Sequence, residues 1–123
     1  VPMATRDPES PWPALGAFRV NPVALEMGSR ALSPDGSSDL DLLVVDEVGP
    51  WELAGEGWSG ALEALYGTDV PLLAVARRSL VKDVSARLAP MGVRVWDVSV
   101  VSEKTITEAV RNALEGRDRL SPR

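Results

Sequence analysis

The sequence predicts an α/β domain, a three-layer sandwich with helices on both faces of a mainly parallel sheet. Three observations carry that expectation. Two apolar runs, Leu42-Leu43-Val44-Val45 and the stretch from Pro71 to Ala76, lack alternation and suit strands covered on both faces. Stretches with helical spacing of apolar residues follow the strand candidates, so that strand and helix alternate four times. The connections are short, which favours right-handed crossovers onto one parallel sheet.

Along the chain, residues 1–15 read as an irregular arm, because Pro2, Pro8, Pro11 and Pro13 deny the backbone both helical continuity and ladder hydrogen bonds. Trp12 is its one candidate anchor. Residues 16–20 form a short strand, and Asn21-Pro22 then supplies an N-cap and a first-turn proline for a helix running to about Leu32. In that helix Val23, Met27 and Ala31 recur at four-residue spacing beside Ala24 and Gly28, one apolar stripe to pack on a sheet. Residues 33–39, with Pro34 and Gly36, are turn chemistry and read as a surface loop.

Residues 40–45 form the central strand, broken by Gly49-Pro50. A second helix, about 58–66, sets Trp58, Ala61, Leu62 and Leu65 on one side and ends at Gly67. Gly55 and Gly57 keep the intervening loop supple. After the run at 71–76, Ser79 is a candidate N-cap for a helix whose Leu80, Val81, Val84 and Leu88 share a face, and Pro90 and Gly92 end it. The β-branched stretch 93–98 reads as a fourth strand. The last helix, about 103–115, presents Ile106, Ala109, Val110, Ala113 and Leu114, has capping-box spacing at Thr105 and Glu108, and stops at Gly116. The division is therefore an arm at 1–15, one α/β domain at 16–116, and a frayed polar tail at 117–123.

Composition narrows the chemistry. With 123 residues, 45% of them hydrophobic and 25% charged, the chain is long enough for one core and unlike a disordered segment. A net charge of −5 with scattered basic residues gives no electrostatic basis for nucleic acid or an anionic membrane as partner. No run approaches the roughly 20 apolar residues of a membrane span, and no signal peptide is evident, so a cytoplasmic location is expected. There is no cysteine and no histidine, which removes thiol nucleophiles, the usual zinc ligands and any Ser/His or Cys/His pair. Carboxylates, arginine, lysine, hydroxyls and backbone remain.

In open parallel sheets ligands sit beyond the carboxyl ends of the strands, where Asp46 and Glu47 emerge after the most apolar run in the chain. An aspartate at such a strand tip can hold Mg²⁺ through water, and a glutamate beside it can orient or deprotonate an attacking water, the logic of a Walker B strand. On spacing alone the pair is read equally well as a strand end entering the turn at Gly49-Pro50. Arg77 and Arg78 follow the next strand at the same expected edge, where a guanidinium could meet phosphate oxygens, although a solvated pair opening a helix is the ordinary reading. Lys104, near the end of the last expected strand, could touch a base or phosphate, although an exposed first-turn residue is the ordinary reading. Of the four tryptophans only Trp51, beside the loop from Gly49 to Gly57, is a candidate to face a ligand.

The stretch Leu42-Leu43-Val44-Val45-Asp46-Glu47-Val48-Gly49-Pro50-Trp51-Glu52-Leu53 resembles the hhhhDEhGxhEL segment of the cancer-related nucleoside-triphosphatase family of small P-loop proteins. Phe18-Arg19-Val20-Asn21 with Leu25 looks like that family's aromatic-x-Val-Asp/Asn strand and helix, and Trp58 stands where an aromatic follows the Glu-Leu pair. The resemblance implies a P-loop NTPase-like fold in which Asp46 is the Mg²⁺-associated acid and Glu47 the catalytic carboxylate. In the loop beyond, Gly49 and Trp51 accompany Glu52 as a conformation-setting acid. The sequence departs from the family in containing no Walker A motif, G-x-x-x-x-G-K-S/T. By resemblance the missing strand lies inside the sheet, so its absence leaves open edges that self-association or a partner chain would fill.

Two functions follow. The chain is the C-terminal part of a nucleoside triphosphatase, dependent on Mg²⁺, acting on a nucleoside triphosphate such as ATP once a Walker A segment is supplied and inactive without it. Alternatively it is a non-catalytic binding module that kept the scaffold and pairs with a protein. A phosphoryl-accepting receiver, with Asp46 as acceptor, would need an earlier acidic pair and a late Lys-Pro, and neither is present.

Overall fold

The computed structural model describes residues 1–37 and 39–120, and the chain divides into two compact units, each described by itself. The first comprises Val1–Asp39 with Trp51–Thr68; the second comprises Leu40–Pro50 and the chain from Asp69 onward. Among the described residues no helix is long and apolar enough to cross a membrane.

In the first unit, strands β1 (Ala4–Thr5), β2 (Ala14–Leu15) and β3 (Phe18–Val20) form an antiparallel sheet in the order β1-β3-β2. The expected first strand thus exists but does not join a parallel sheet. The reason lies in connection length: only Gly16-Ala17 separate Leu15 from its partner Phe18, and so short a link can close a hairpin but not a parallel crossover. The proline-rich arm is tied down rather than wholly irregular. Its prolines leave Ala4 and Thr5 free to pair with Val20 and Arg19, Arg19 Nη2 donates to the Pro8 carbonyl at 3.2 Å, and the Arg6 guanidinium lies 5.0 Å from the centroid of the Phe18 ring.

Helix α1 (Pro22–Ala31) begins as the Asn21-Pro22 pair requires. Asn21 is extended (φ −69°, ψ 115°), its Oδ1 accepts from Val23 N–H at 3.0 Å, and the proline occupies the first turn. The expected apolar stripe is turned outward, with Val23 56% and Met27 55% exposed. The half-buried side carries Ala24, Leu25 and Gly28, because Trp58 is seated there: its indole Nε1–H donates to the Leu25 carbonyl at 3.0 Å. A side chain at Gly28 would fall inside the indole, so the close approach requires glycine. Residues Pro34–Ser37 of the expected surface loop form one helical turn, α2. Ser38 lies outside the described residues.

Two more helices complete this unit, α3 (Pro50–Leu53), which begins on the last residue of the second unit, and α4 (Ser59–Tyr66). Leu62 and Leu65 of α4 are buried and Ala61 half-buried, the face that spacing predicted, and with Val20 they make the unit's apolar core.

In the second unit, β4 (Leu43–Asp46) and β5 (Leu72–Val75) pair in parallel, Leu43 opposite Leu72 through Asp46 opposite Val75. This two-stranded parallel pair, with helices around it in sequence, is the α/β character the sequence predicts. The expectation of burial on both faces fails for β4, whose residues alternate, Leu43 and Val45 half-buried and Val44 54% exposed. Apolar runs report the capacity for two-sided burial, and a covering layer must still be present.

After β5 a 3₁₀ turn, Arg78–Leu80, leads into α5 (Val81–Leu88). Ser79 lies inside that turn, and α5 has no side-chain cap, so the expected cap is absent. Val84 is the buried residue of the predicted face. A second 3₁₀ turn, Ala89–Met91, and Gly92 follow. The stretch 93–98 forms no strand; Val93 and Val95 are exposed, and β-branched residues suit a pleated surface without creating one where no ladder partner is offered. Helix α6 (Glu103–Leu120) starts one turn earlier than its expected capping box. Ser102 Oγ accepts from Thr105 N–H at 3.2 Å, and Gly116 does not interrupt the helix. The expected frayed tail coincides with the end of α6 up to Leu120, and residues 121–123 lie outside the described residues.

Candidate active site

The carboxyl edge of the β4–β5 pair gathers three of the predicted residues, Asp46, Glu47 and Arg77. Asp46 is the last residue of β4, opposite Val75, and Val48 N–H donates to the Val75 carbonyl at 2.8 Å, so the chain past Asp46 stays bound to the end of β5. Val48 is 3% exposed, which anchors the segment from below while Asp46 and Glu47, joined by a cis peptide bond, face solvent.

Glu47 does not stand alone. Arg77 Nη2 lies 2.9 Å from Glu47 Oε1, and Arg77 Nε donates to the same oxygen at 3.1 Å. Asp46 has no such partner among the described residues and is exposed. Sequence spacing of 30 residues gave no sign of the Glu47–Arg77 contact, which depends on strand register.

Arg78 is held elsewhere. Its Nη2 lies 3.0 Å from Asp97 Oδ2, and it donates to Asp97 Oδ1 at 3.1 Å and to Ser99 Oγ at 2.5 Å. Ser99 donates to Asp97 Oδ1 through both its hydroxyl (2.6 Å) and its backbone N–H (2.9 Å). These bonds hold the Asp97 carboxyl below its ordinary value of 3.8, the Ser99 hydroxyl foremost and then the Ser99 N–H; desolvation opposes them, and the Arg78 charge and hydrogen bond add a lesser lowering. Asp97 and Ser99 were not singled out from sequence, although Asp-x-Ser is the spacing of a side-chain-stabilised turn.

The predicted loop residues divide between the units. Gly49 is buried in the second. Trp51 and Glu52 belong to the first, where Glu52 is 7% exposed and Trp51 half-buried. Gly57 packs on both: its backbone has φ +58°, and a Cβ there would lie 2.8 Å from Glu52 Oε1 and 3.2 Å from Trp51 Cε3. Glu52 is thus an interior carboxylate. Lys104 is exposed in the first turn of α6.

The donor set is compatible with Mg²⁺ of one particular kind. Among the described residues no three acids converge on a point, which excludes a closed carboxylate cage there. Mg²⁺ bound with nucleotides keeps several waters and takes one or two carboxylates together with phosphate oxygens. A single exposed, unpaired carboxylate at a strand end, Asp46, satisfies that requirement.

Comparison with known proteins identifies the lineage. A family model described as NTPase matches residues 4–118. The nucleoside-triphosphatase THEP1 of Methanosarcina barkeri is 36% identical over 106 residues, covering 85% of this chain and 55% of the relative. The protein of the same name from Methanosarcina acetivorans is 32% identical over 101 residues, 81% of this chain and 56% of the relative. That from Ignicoccus hospitalis is 30% identical over 110 residues, 89% and 60% respectively. The chain therefore spans a little over half the length of these relatives. No solved structure matches it. With nearly its whole length matched, and with residues 42–53 carrying the resemblance noted above, the chain belongs to this family of small P-loop nucleoside triphosphatases.

Proposed function

We propose that this chain is the Walker B-bearing part of a Mg²⁺-dependent nucleoside triphosphatase, hydrolytic when a Walker A segment completes it and inactive alone. The observation that supports this reading is the position of Asp46-Glu47 at the carboxyl edge of the parallel β4–β5 pair, in a chain matched to the family over residues 4–118.

In that reading Asp46 would hold Mg²⁺ through its free carboxylate. The ion, when bound, neutralises charge on the phosphate oxygens. Glu47 orients a water and takes its proton as the water oxygen bonds to the terminal phosphorus; the bond from that phosphorus to the bridging oxygen breaks, and the nucleoside diphosphate leaves with the electron pair. Arg77, two residues beyond the end of β5, contributes a guanidinium to phosphate oxygens, whereas Arg78 is engaged by Asp97 and Ser99 and serves that turn. Glu52 and its glycine-rich loop set the loop conformation. Most phosphate affinity in such enzymes comes from the Walker A backbone and lysine, which this sequence lacks. The Walker A strand would join the β4–β5 pair and complete a three-layer sandwich.

A second reading, a binding module that kept the scaffold without hydrolysis, is favoured by the exposure of Val44 (54%) and Val75 (44%), strand residues that a partner chain or a second copy could cover. The test compares phosphate release from ATP and GTP, with Mg²⁺, by this chain alone and by the polypeptide carrying the segment encoded upstream of Val1. Hydrolysis only by the extended form is expected. Micromolar nucleotide binding by the chain alone, measured by calorimetry, contradicts the proposal, and an upstream segment without a glycine-rich loop ending in Lys-Ser or Lys-Thr supports the binding module.

A further inference from the structure

The Glu47–Arg77 contact ties together the two groups to which the proposed reaction gives different tasks. A carboxylate oxygen occupied by a guanidinium is closed to the proton of a water, and a guanidinium occupied by a carboxylate is closed to phosphate. Both contacts of Arg77 fall on the single oxygen Oε1 of Glu47. The two side chains are 63% and 36% exposed, so water screens the pair and holds it weakly. Polyphosphate offers the same planar fork several charged oxygens at once. The neighbouring arginine differs: Arg78 is engaged by both oxygens of Asp97 and by Ser99, a more extensive attachment.

We infer that Arg77 is an exchangeable positioning residue, holding Glu47 while the edge is empty and passing to a polyphosphate anion when one arrives, which releases the carboxylate. This regulation of Glu47 rests on the reading of the Asp46-Glu47 edge as the place of the triphosphate. It makes phosphate binding and the freeing of Glu47 one event. It also makes Glu47 a competitor of the ligand for Arg77, and the competition can be measured without turnover.

The experiment follows backbone amide shifts at the ends of β4 and β5 by ¹⁵N NMR while tripolyphosphate is added to this chain, to Glu47→Gln, to Arg77→Ala and to the double variant. Weak binding suffices for such shifts. Both side chains are exposed, and a thermal melt of each variant checks that the fold is kept. Glu47→Gln is expected to tighten binding about two- to fivefold, the span of an exposed ion pair. Arg77→Ala is expected to weaken it, and in the Arg77→Ala background Glu47→Gln is expected to bring no gain. An equal gain in both backgrounds would show simple relief of charge repulsion and overturn the exchange, as would the absence of any binding in all four proteins. Exchange demonstrated here, in a protein whose extended form hydrolyses nothing, would leave the competition standing and remove the enzymatic reading alone.

Discussion

Trp58 and Gly28 are in direct contact in the first unit, the indole lying over the glycine and donating its Nε1–H to Leu25 one turn earlier. A Cβ at position 28 would sit 2.6 Å from Trp58 Cε2 and 2.9 Å from Cζ2, too near for a ring held by a hydrogen bond to avoid. Gly28→Ala therefore sets two effects against each other. Alanine favours the helix by about 1 kcal/mol, and overpacking costs about 1–3 kcal/mol. The clash is expected to win, lowering the urea midpoint; a higher midpoint would mean that the indole moves freely.

Asn21 joins the first turn of α1 to the N-terminal strand. Its Oδ1 caps Val23, its Nδ2 donates to the Pro2 carbonyl at 2.8 Å, and its own N–H donates to the Met3 carbonyl at 2.9 Å. Asn21→Ala is expected to cost about 1–2 kcal/mol, and Asn21→Asp, which keeps the cap and loses the Nδ2 donor, less. Urea unfolding of the two variants checks the order, and equal losses would show that the Pro2 contact dominates.

These two positions also show what the sequence could and could not reveal. Asn-Pro before an apolar-periodic stretch carries a local instruction, a cap and a fixed φ, and α1 begins where that instruction places it. The same holds for the apolar runs that became β4 and β5 and for the buried face of α4. Which stripe of α1 is covered is not local. Val23 and Met27 are the bulkier pair, yet the seat of a distant tryptophan on Gly28 decides the matter. The stretch 93–98 fails for the same reason, since a strand needs a partner that residue types alone do not name. At the site, Asp46 and Glu47 were legible as acids ending an apolar run, whereas the partner of Glu47 follows from the Asp46–Val75 register.

The Asp97 turn predicts a pH response. The folded carboxyl titrates below its ordinary value of 3.8, so its contribution to stability is fully present above that value and is lost as pH falls through the lower folded value. Asp97→Asn is expected to lower stability at neutral pH and to converge with the unaltered protein as pH falls below 3.8, which flattens the acid limb, read from thermal melts across that range. A carboxyl carbon titration of Asp97 at or above 3.8 would contradict the assignment.

The central claim is that Glu47 handles the proton of the attacking water. Its most direct test is steady-state turnover of Glu47→Gln in the polypeptide proposed to supply the Walker A segment, with nucleotide affinity measured alongside. The account predicts a loss on the order of 100- to 10,000-fold in kcat, with nucleotide binding retained or tightened. Turnover equal to that of the unaltered enzyme would remove Glu47 from the chemistry.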